Sequence, residues 1–288
     1  MIKSPSSLRR ILECGMLKDS VFMKATAILA GGKMERNLNQ DIFILKELVR
    51  KGIKLKYRRS YLGILWSLLE PLLSMVVLTI VFGTLFGVKD KTFPVYILTG
   101  RHLYGFFSQG TKEALRSIRA NASMIKKVYV NKLLYPLSGI IFNYIIFLIS
   151  LIVLAIVALC FKVFPTVYLF QIFVPLITLF LLSVGVGLLL STIGVFFRDM
   201  EYLWNVVLMI IMYTCAIFYK PEKLLESDYG FILKANPLYC IISNFRSAIF
   251  GELMNYKYLL YSFTFSIVLI IIGLFMFKKT EDRFILNI

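Results

Sequence analysis

The chain has 288 residues, 59% of them hydrophobic, and a mean hydropathy of +0.79. A soluble domain of this length has no way to hide so much apolar surface, so the composition points to a polytopic membrane protein. The formal net charge of +17 would suit a nucleic-acid binder, but Lys and Arg fall in the gaps between apolar runs, where membrane topology and anionic headgroups explain them better.

In chain order, residues 1–40 read as a cytoplasmic N-terminal extension. Its apolar run at 21–29 is short and broken by Lys24, which makes a poor signal peptide. Residues 41–60 read as an amphipathic interface helix. In DIFILKELVRKGIKLKY (41–57), Ile42, Leu45, Val49, Ile53 and Tyr57 recur at helical spacing, with Lys46, Arg50, Lys51 and Lys54 between them. Such a helix lies in the cytoplasmic membrane interface, or packs as a surface helix on another domain.

Residues 61–288 then hold the apolar runs. A bilayer core about 30 Å thick needs about twenty apolar helical residues, which gives six spans near 62–86, 93–111, 133–161, 167–197, 202–219 and 258–277. The expected fold is an all-α membrane protein. Counted by gaps, 24 Lys/Arg residues fall on the side that holds both termini and eight on the other, so both termini are expected in the cytoplasm. The segment 237–251, PLYCIISNFRSAIFG, is too short to span and too apolar for an open loop; an external re-entrant hairpin fits it. Four cysteines (Cys14, Cys160, Cys215, Cys240) lack CxxC spacing and read as unpaired, with neither a metal nor a disulfide role.

Polar residues inside the spans carry the functional signal. In the first span, Gly63, Ser67, Glu70 and Ser74 share one narrow helical face, and Pro71 frees the carbonyl of Ser67. Lipid cannot solvate that face, so it turns toward protein or water: either it lines a pathway, or Glu70 joins two helices. Ser183, Gly187, Ser191, Gly194 and Arg198 form a small-residue stripe suited to close helix packing. Arg101, beside the single histidine His102, either meets a phosphate, pairs with Glu70 or reaches back to the interface. Among the aromatic residues, Trp66 and Tyr219 are placed to stack on sugar rings, unless they belong to lipid-facing belts. No GxxxxGK[ST], HExxH or GxSxG motif is present, so the chain has no phosphate-cradling loop for ATP and little to catalyse with.

Four stretches, in order, resemble the membrane subunits of type-2 ABC exporters, in the branch that moves polysaccharides and teichoic acids. They are LVRKGIKLKYRRSYLGILWSLLEPLLSMVVLTIVFGTLFG (48–87), FPVYILTG (93–100) with FFS (106–108), GVFFRDMEYLWNVVLMIIMYTCAIFY (194–219) and NPLYCIISNFRSAIFG (236–251). The chain departs from that family at Arg101-His102-Leu103-Tyr104-Gly105, where an apolar stretch is usual.

The resemblance implies a permease of type-2 ABC exporter fold, working as a homodimer over two copies of a separate ABC ATPase. That ATPase would bind ATP and Mg²⁺; no cofactor or metal is expected in this chain, nor any nucleic acid. The cargo would be a polyprenyl-pyrophosphate-linked polysaccharide of teichoic acid, O-antigen or capsule type, crossing the bacterial cytoplasmic membrane. On this reading Trp66, Glu70, Ser74, Arg101 and Tyr219 line the substrate pathway. Arg50 and Lys54, with Arg116, Arg119, Lys126 and Lys127 of a coupling helix within 112–132, meet the ATPase. Pro237, Tyr239, Phe245 and Arg246 belong to an external gate within 220–251. Rival readings are a drug-efflux permease on the same fold and a membrane-embedded glycan-modifying enzyme.

Overall fold

The computed structural model describes residues 38–57, 63–85, 90–128, 130–227 and 230–287. All but three residues of the 1–40 extension, and residues 58–60 of the 41–60 segment, lie outside the described residues. Among the described residues there is no strand.

Helix α1 (Leu38–Tyr57) begins with Asp41 in its first turn and ends with Lys54 and Lys56 in its last, charges that complement the helix dipole. Its stripe of Val49, Ile53 and Tyr57 packs on Phe142 and Ile146, so the apolar face is covered by another helix of the same chain. Gly52 allows this approach, since a β-carbon there would lie 2.9 Å from the Phe142 ring.

After a 3-10 turn at Gly63–Leu65, helix α2 (Trp66–Leu85) carries Pro71 within it. Helix α3 (Phe93–Ala120) starts on Pro94 and runs unbroken for 28 residues. It continues nine residues past the expected end at 111, into the segment read as a loop. That segment shrinks to the four-residue helix α4 (Ala122–Ile125) and its flanking turns. Helices α5 (Leu134–Cys160) and α6 (Phe173–Phe196, led by a 3-10 stretch at Val167–Ile172) are largely apolar and carry no charged residue.

Helix α7 (Met200–Thr214) stops five residues before the expected 219. The chain turns at Ala216, in the left-handed region with φ of 48°. The short helices α8 (Glu222–Leu225) and α9 (Gly230–Ala235) lead to α10 (Pro237–Phe250). Asn236 caps α10 by accepting from the Leu238 N–H, Pro237 opens it, and left-handed Gly251 closes it. Helix α11 (Tyr256–Thr280) starts on the cap Asn255 and is followed by α12 (Phe284–Asn287).

Among the described residues, three helical stretches, Leu134–Cys160, Val167–Phe196 and Tyr256–Asn287, are long and apolar enough to cross a membrane; Leu68–Val81 and Met200–Thr214 are shorter apolar helices. Helix α6 is the centre of the bundle. At Gly185 a β-carbon would lie 2.8 Å from Leu269 of α11, at Gly187 2.7 Å from Ile140 of α5, and at Gly194 2.5 Å from Leu115 of α3. The small residues at 183, 187, 191 and 194 are thus buried in helix contacts, while Arg198 is exposed. Outward, α5 (Leu148, Ile152, Ile156) and α11 (Leu260, Ile271, Phe275) expose large apolar side chains, the surface a lipid environment covers. Helix α10 is buried against α3, α6 and α11, not laid on the surface.

Candidate functional site

Against this apolar frame, α1, α2, α3, α5 and Met212 of α7 line a half-open cavity of about 410 Å³ whose walls are apolar in large part but carry a set of polar and charged side chains. Helix α2 contributes Trp66, Glu70 and Ser74, four residues apart, so one face of the helix enters it. Helix α3 contributes Arg101, Gly105, Ser108 and Lys112 at steps of four, three and four, with His102 and Gln109 beside them. Lys56 arrives from the end of α1, and Asn143 and Ser150 from α5. Four of the five residues read as a substrate pathway, Trp66, Glu70, Ser74 and Arg101, therefore line one space. The fifth, Tyr219, does not line it.

The cations of this cavity outnumber its acids. Lys56, Arg101 and Lys112 face Glu70, and no carboxylate of a described residue lies within 4.0 Å of any of the three. Arg101 and Glu70 thus share the cavity without an ion pair; the Arg101 guanidinium reaches the Met212 sulfur at 4.0 Å. Lys56 donates to Gln109 at 3.1 Å. Burial pulls the Lys56 ammonium below the usual lysine range, and the charges of Glu70 and Glu113 oppose that pull.

His102 is buried, and its Nδ1 lies 3.3 Å from the Ser150 hydroxyl. The Ser150 hydroxyl also donates to the Phe147 carbonyl at 2.7 Å. His102 Nε2 is buried and has no hydrogen-bond partner among the described residues.

A second polar cluster closes the Phe93 end of α3. Arg246 of α10, 6% exposed, donates from Nε to Thr99 Oγ1 at 3.4 Å, from Nη1 to the Ala216 carbonyl at 2.9 Å and from Nη2 to the Tyr96 carbonyl at 3.0 Å. Its Cζ stands 3.4 Å from the centroid of the Tyr96 ring. Gly100 makes the room, because a β-carbon there would sit 2.6 Å from Nη2. The Tyr96 hydroxyl is shared between the carbonyls of Ala216 and Tyr219. Lys220 pairs with Asp90 at 2.9 Å. That contact, helped by the Thr92 N–H and hydroxyl, draws the Asp90 carboxyl down to about 2. Tyr239 and Phe245 are fully buried, and Pro237 serves as the first residue of α10. Tyr219 joins this cluster through its carbonyl, which accepts from the Tyr96 hydroxyl.

At the other end of α3, Arg116 and Arg119 both pair with Glu201 of α7, Arg119 at 3.9 Å. Glu201 was not singled out in the sequence, and Arg198 and Asp199, adjacent in the chain, form no ion pair among the described residues. The signal available was Glu201 two residues after the helix-starting Asp199. Arg50, Lys54, Lys126 and Lys127 are exposed, Arg50 lying 3.8 Å from Glu47.

The sequence pattern of the ABC-2 type transporter family matches residues 44–250, which span α1 through α10 and hold the cavity and both clusters. The chain is 28% identical over 254 residues to the O-antigen export system permease protein RfbA of Klebsiella pneumoniae, covering 88% of this chain and 97% of that protein. It is 24% identical over 242 residues to the polysialic acid transport protein KpsM of Escherichia coli, covering 83% and 93%. To the capsule polysaccharide export inner-membrane protein CtrC of Neisseria meningitidis serogroup B it is 24% identical over 241 residues, covering 82% and 90%. The chain belongs to the ABC-2 type transporter family, as one of its membrane permeases.

Proposed function

We propose that the chain is the membrane half of an ATP-driven exporter that moves a polysaccharide joined to a polyprenyl pyrophosphate carrier across the bacterial cytoplasmic membrane. The observation that carries this reading is the cavity between α1, α2, α3 and α5, whose polar and charged side chains are set inside an otherwise apolar bundle. A passing glycan needs hydroxyl-bonding groups and an aromatic wall, and Ser74, Ser108, Gln109, Asn143 and Trp66 supply both. The relatives named for O-antigen, polysialic acid and capsule export agree with a cargo of that class.

The engine is a separate subunit on this reading. The chain contains no GxxxxGK[ST] run, so ATP and Mg²⁺ are bound by a partner ATPase. Two permeases and two ATPases make the working unit. Both termini, α1 and α4 face the cytoplasm, and Arg50, Lys54, Lys126 and Lys127 offer the ATPase an exposed basic surface. The Arg116–Arg119–Glu201 cluster ties α3 to α7 behind that surface. Helices α2, α3, α5, α6, α7 and α11 are the six spans, and α8 to α10 cap the external side, closed by the Arg246 and Asp90–Lys220 contacts.

Reconstitution with its partner ABC ATPase in proteoliposomes tests the proposal. ATP-dependent movement of a lipid-linked glycan, absent when either subunit is omitted, is the expected result. ATP turnover by the permease alone, or glycan movement without the ATPase, refutes it.

A further inference from the structure

Beside its contact with α5, helix α1 borders an open groove of about 490 Å³. The walls are Leu45, Val49 and Ile53 of α1 with Ile141 and Ile145 of α5. Lys46, Arg50 and Lys54 edge it, each one residue after one of those α1 wall residues. Steps of four place the three cations in a row along α1, about 12 Å long at 1.5 Å per residue. All three are exposed. Among the described residues Arg50 has Glu47 at 3.8 Å, while Lys46 and Lys54 have no carboxylate within 4.0 Å.

The groove opens onto an exposed apolar stripe of α5. The large apolar side chains exposed on that helix are Ile145, Leu148, Ile152, Ile156 and Leu159, at steps of three, four, four and three, so they share one face. None lies before Ile145, the residue that also walls the groove. At 27 residues, or about 40 Å, α5 is longer than a hydrocarbon core of about 30 Å, and its bare first turns stand outside that core. The groove thus lies at the edge of the apolar layer. From Ile145 to Leu159 the stripe runs about 21 Å, deeper than the roughly 15 Å of one leaflet.

We propose that this groove binds an anionic glycerophospholipid of the surrounding membrane, its headgroup phosphate held by the Lys46–Arg50–Lys54 row and one acyl chain seated between α1 and α5 and continuing along the α5 stripe. Three cations against Glu47 leave two charges unmatched, which an anionic headgroup supplies. A zwitterionic headgroup carries its own cation and does not. The apolar stems of Lys46, Arg50 and Lys54 lie along the groove wall while their charged ends reach headgroup level. An acidic soluble protein could match the row, but it cannot follow the groove into the stripe, which lies within the hydrocarbon. The site is additional to the export reading: it asks nothing of the cargo and holds whichever side of the membrane α1 faces.

The test is native mass spectrometry of the full-length permease, delipidated in detergent and given equal amounts of phosphatidylglycerol and phosphatidylcholine with identical acyl chains. Phosphatidylglycerol is expected to be retained at least about tenfold over phosphatidylcholine, since each Lys or Arg near an anionic surface is worth about fivefold in affinity. Arg50 and Lys54 also belong to the basic surface offered to the ATPase, so Lys46→Gln is the single-charge variant, with an expected loss of about fivefold. Neutralising all three cations to Gln is expected to erase the preference. Ile145→Trp fills the groove without touching a charge and is expected to lower phosphatidylglycerol retention by about tenfold or more. Thermal unfolding checks that each variant is folded, and Ile141→Phe stands in if Ile145→Trp fails to fold. Equal retention of the two lipids by the unmodified chain, or unchanged phosphatidylglycerol retention in the folded triple variant or in folded Ile145→Trp, overturns the proposal.

Two rival occupants are read in the same experiment. If undecaprenyl phosphate at equal concentration displaces phosphatidylglycerol, the groove belongs to a polyprenyl carrier and the phospholipid assignment falls. On assembly with the partner ABC ATPase the bound lipid is expected to stay; its release gives the groove to the ATPase and also overturns the assignment. A permease that retains phosphatidylglycerol by charge and groove but moves no glycan keeps the lipid site and loses the export reading. One that exports glycan without such retention keeps the export reading and loses the site.

Discussion

Replacing Gly185 with alanine adds one methyl group where α6 meets α11. The new carbon would lie 2.8 Å from Leu269 Cβ, 3.0 Å from the Ile270 nitrogen and 3.1 Å from the Leu269 carbonyl carbon. Two of these are backbone atoms, which cannot step aside as a side chain does. Ordinary carbon contact begins near 3.5 Å, so the two helices must part by about 0.7 Å or bend. Overpacking of this kind costs about 1–3 kcal/mol. Alanine returns about 0.8–1.0 kcal/mol through its higher helix propensity. The net expectation is a loss of about 0–2 kcal/mol, up to about a thirtyfold fall in the folded-to-unfolded ratio. Gly110→Ala is the control: its β-carbon would meet only Phe106 of the same helix, at an ordinary 3.7 Å, so the propensity gain stands alone and stability rises. Equilibrium unfolding in mixed detergent micelles, followed by circular dichroism, reads both. If Gly185→Ala is as stable as Gly110→Ala, α6 and α11 do not meet at Gly185 and the packing argument is wrong.

Arg246→Met removes three charge-assisted hydrogen bonds and the stack on Tyr96, but the carbonyls of Tyr96 and Ala216 each keep another donor, Thr99 and the Tyr96 hydroxyl. The expected loss is therefore limited to about 1–3 kcal/mol, and limited proteolysis should show faster cleavage in the 215–221 turn; unchanged protection counts against a strut role. For Asp90 the folded pKa lies below the unfolded value of 3.8, at about 2, chiefly through its bond to Lys220. Its contribution is thus present above pH 3.8 and is lost as pH falls through 2. Wild type should lose more unfolding temperature between pH 5 and 2.5 than Asp90→Asn, and parallel curves would contradict this. Glu201→Gln releases two arginines that are partly exposed, so its stability effect should stay within about 1 kcal/mol. The larger change should be in ATPase stimulation by the permease, restored by the swap Glu201→Arg with Arg116→Glu.

The sequence made the cavity wall on α2 legible, since Glu70 and Ser74 repeat at helical spacing inside an apolar run. The contacts of α6 were equally readable, because small residues at 187 and 194 serve close packing and little else. The extent of α3 was not. A drop in hydropathy marks where apolar residues stop at 111, but Lys112 to Ala120 form helix as readily as their neighbours do. The end of α7 was hidden for the opposite reason. Apolar residues continue to Phe218, while the backbone reverses at Ala216 under donors from Tyr96 and Arg246, 120 and 30 residues away. Arg246 itself was read only as part of an external gate. Its burial depends on acceptors gathered from two distant segments, which no local pattern contains.

Ala216 keeps its β-carbon in a backbone region that costs an L-residue about 1–2 kcal/mol. What pins it is the pair of donors on its carbonyl. Withdraw α10 by a small distance and one donor leaves; the turn then relaxes by its own strain, pulling Tyr219 and Lys220 with it. The sealed arrangement is accordingly shallower than its hydrogen bonds suggest, a spring held by a catch. Glycine at 216 would unload that spring and leave the turn slower to release.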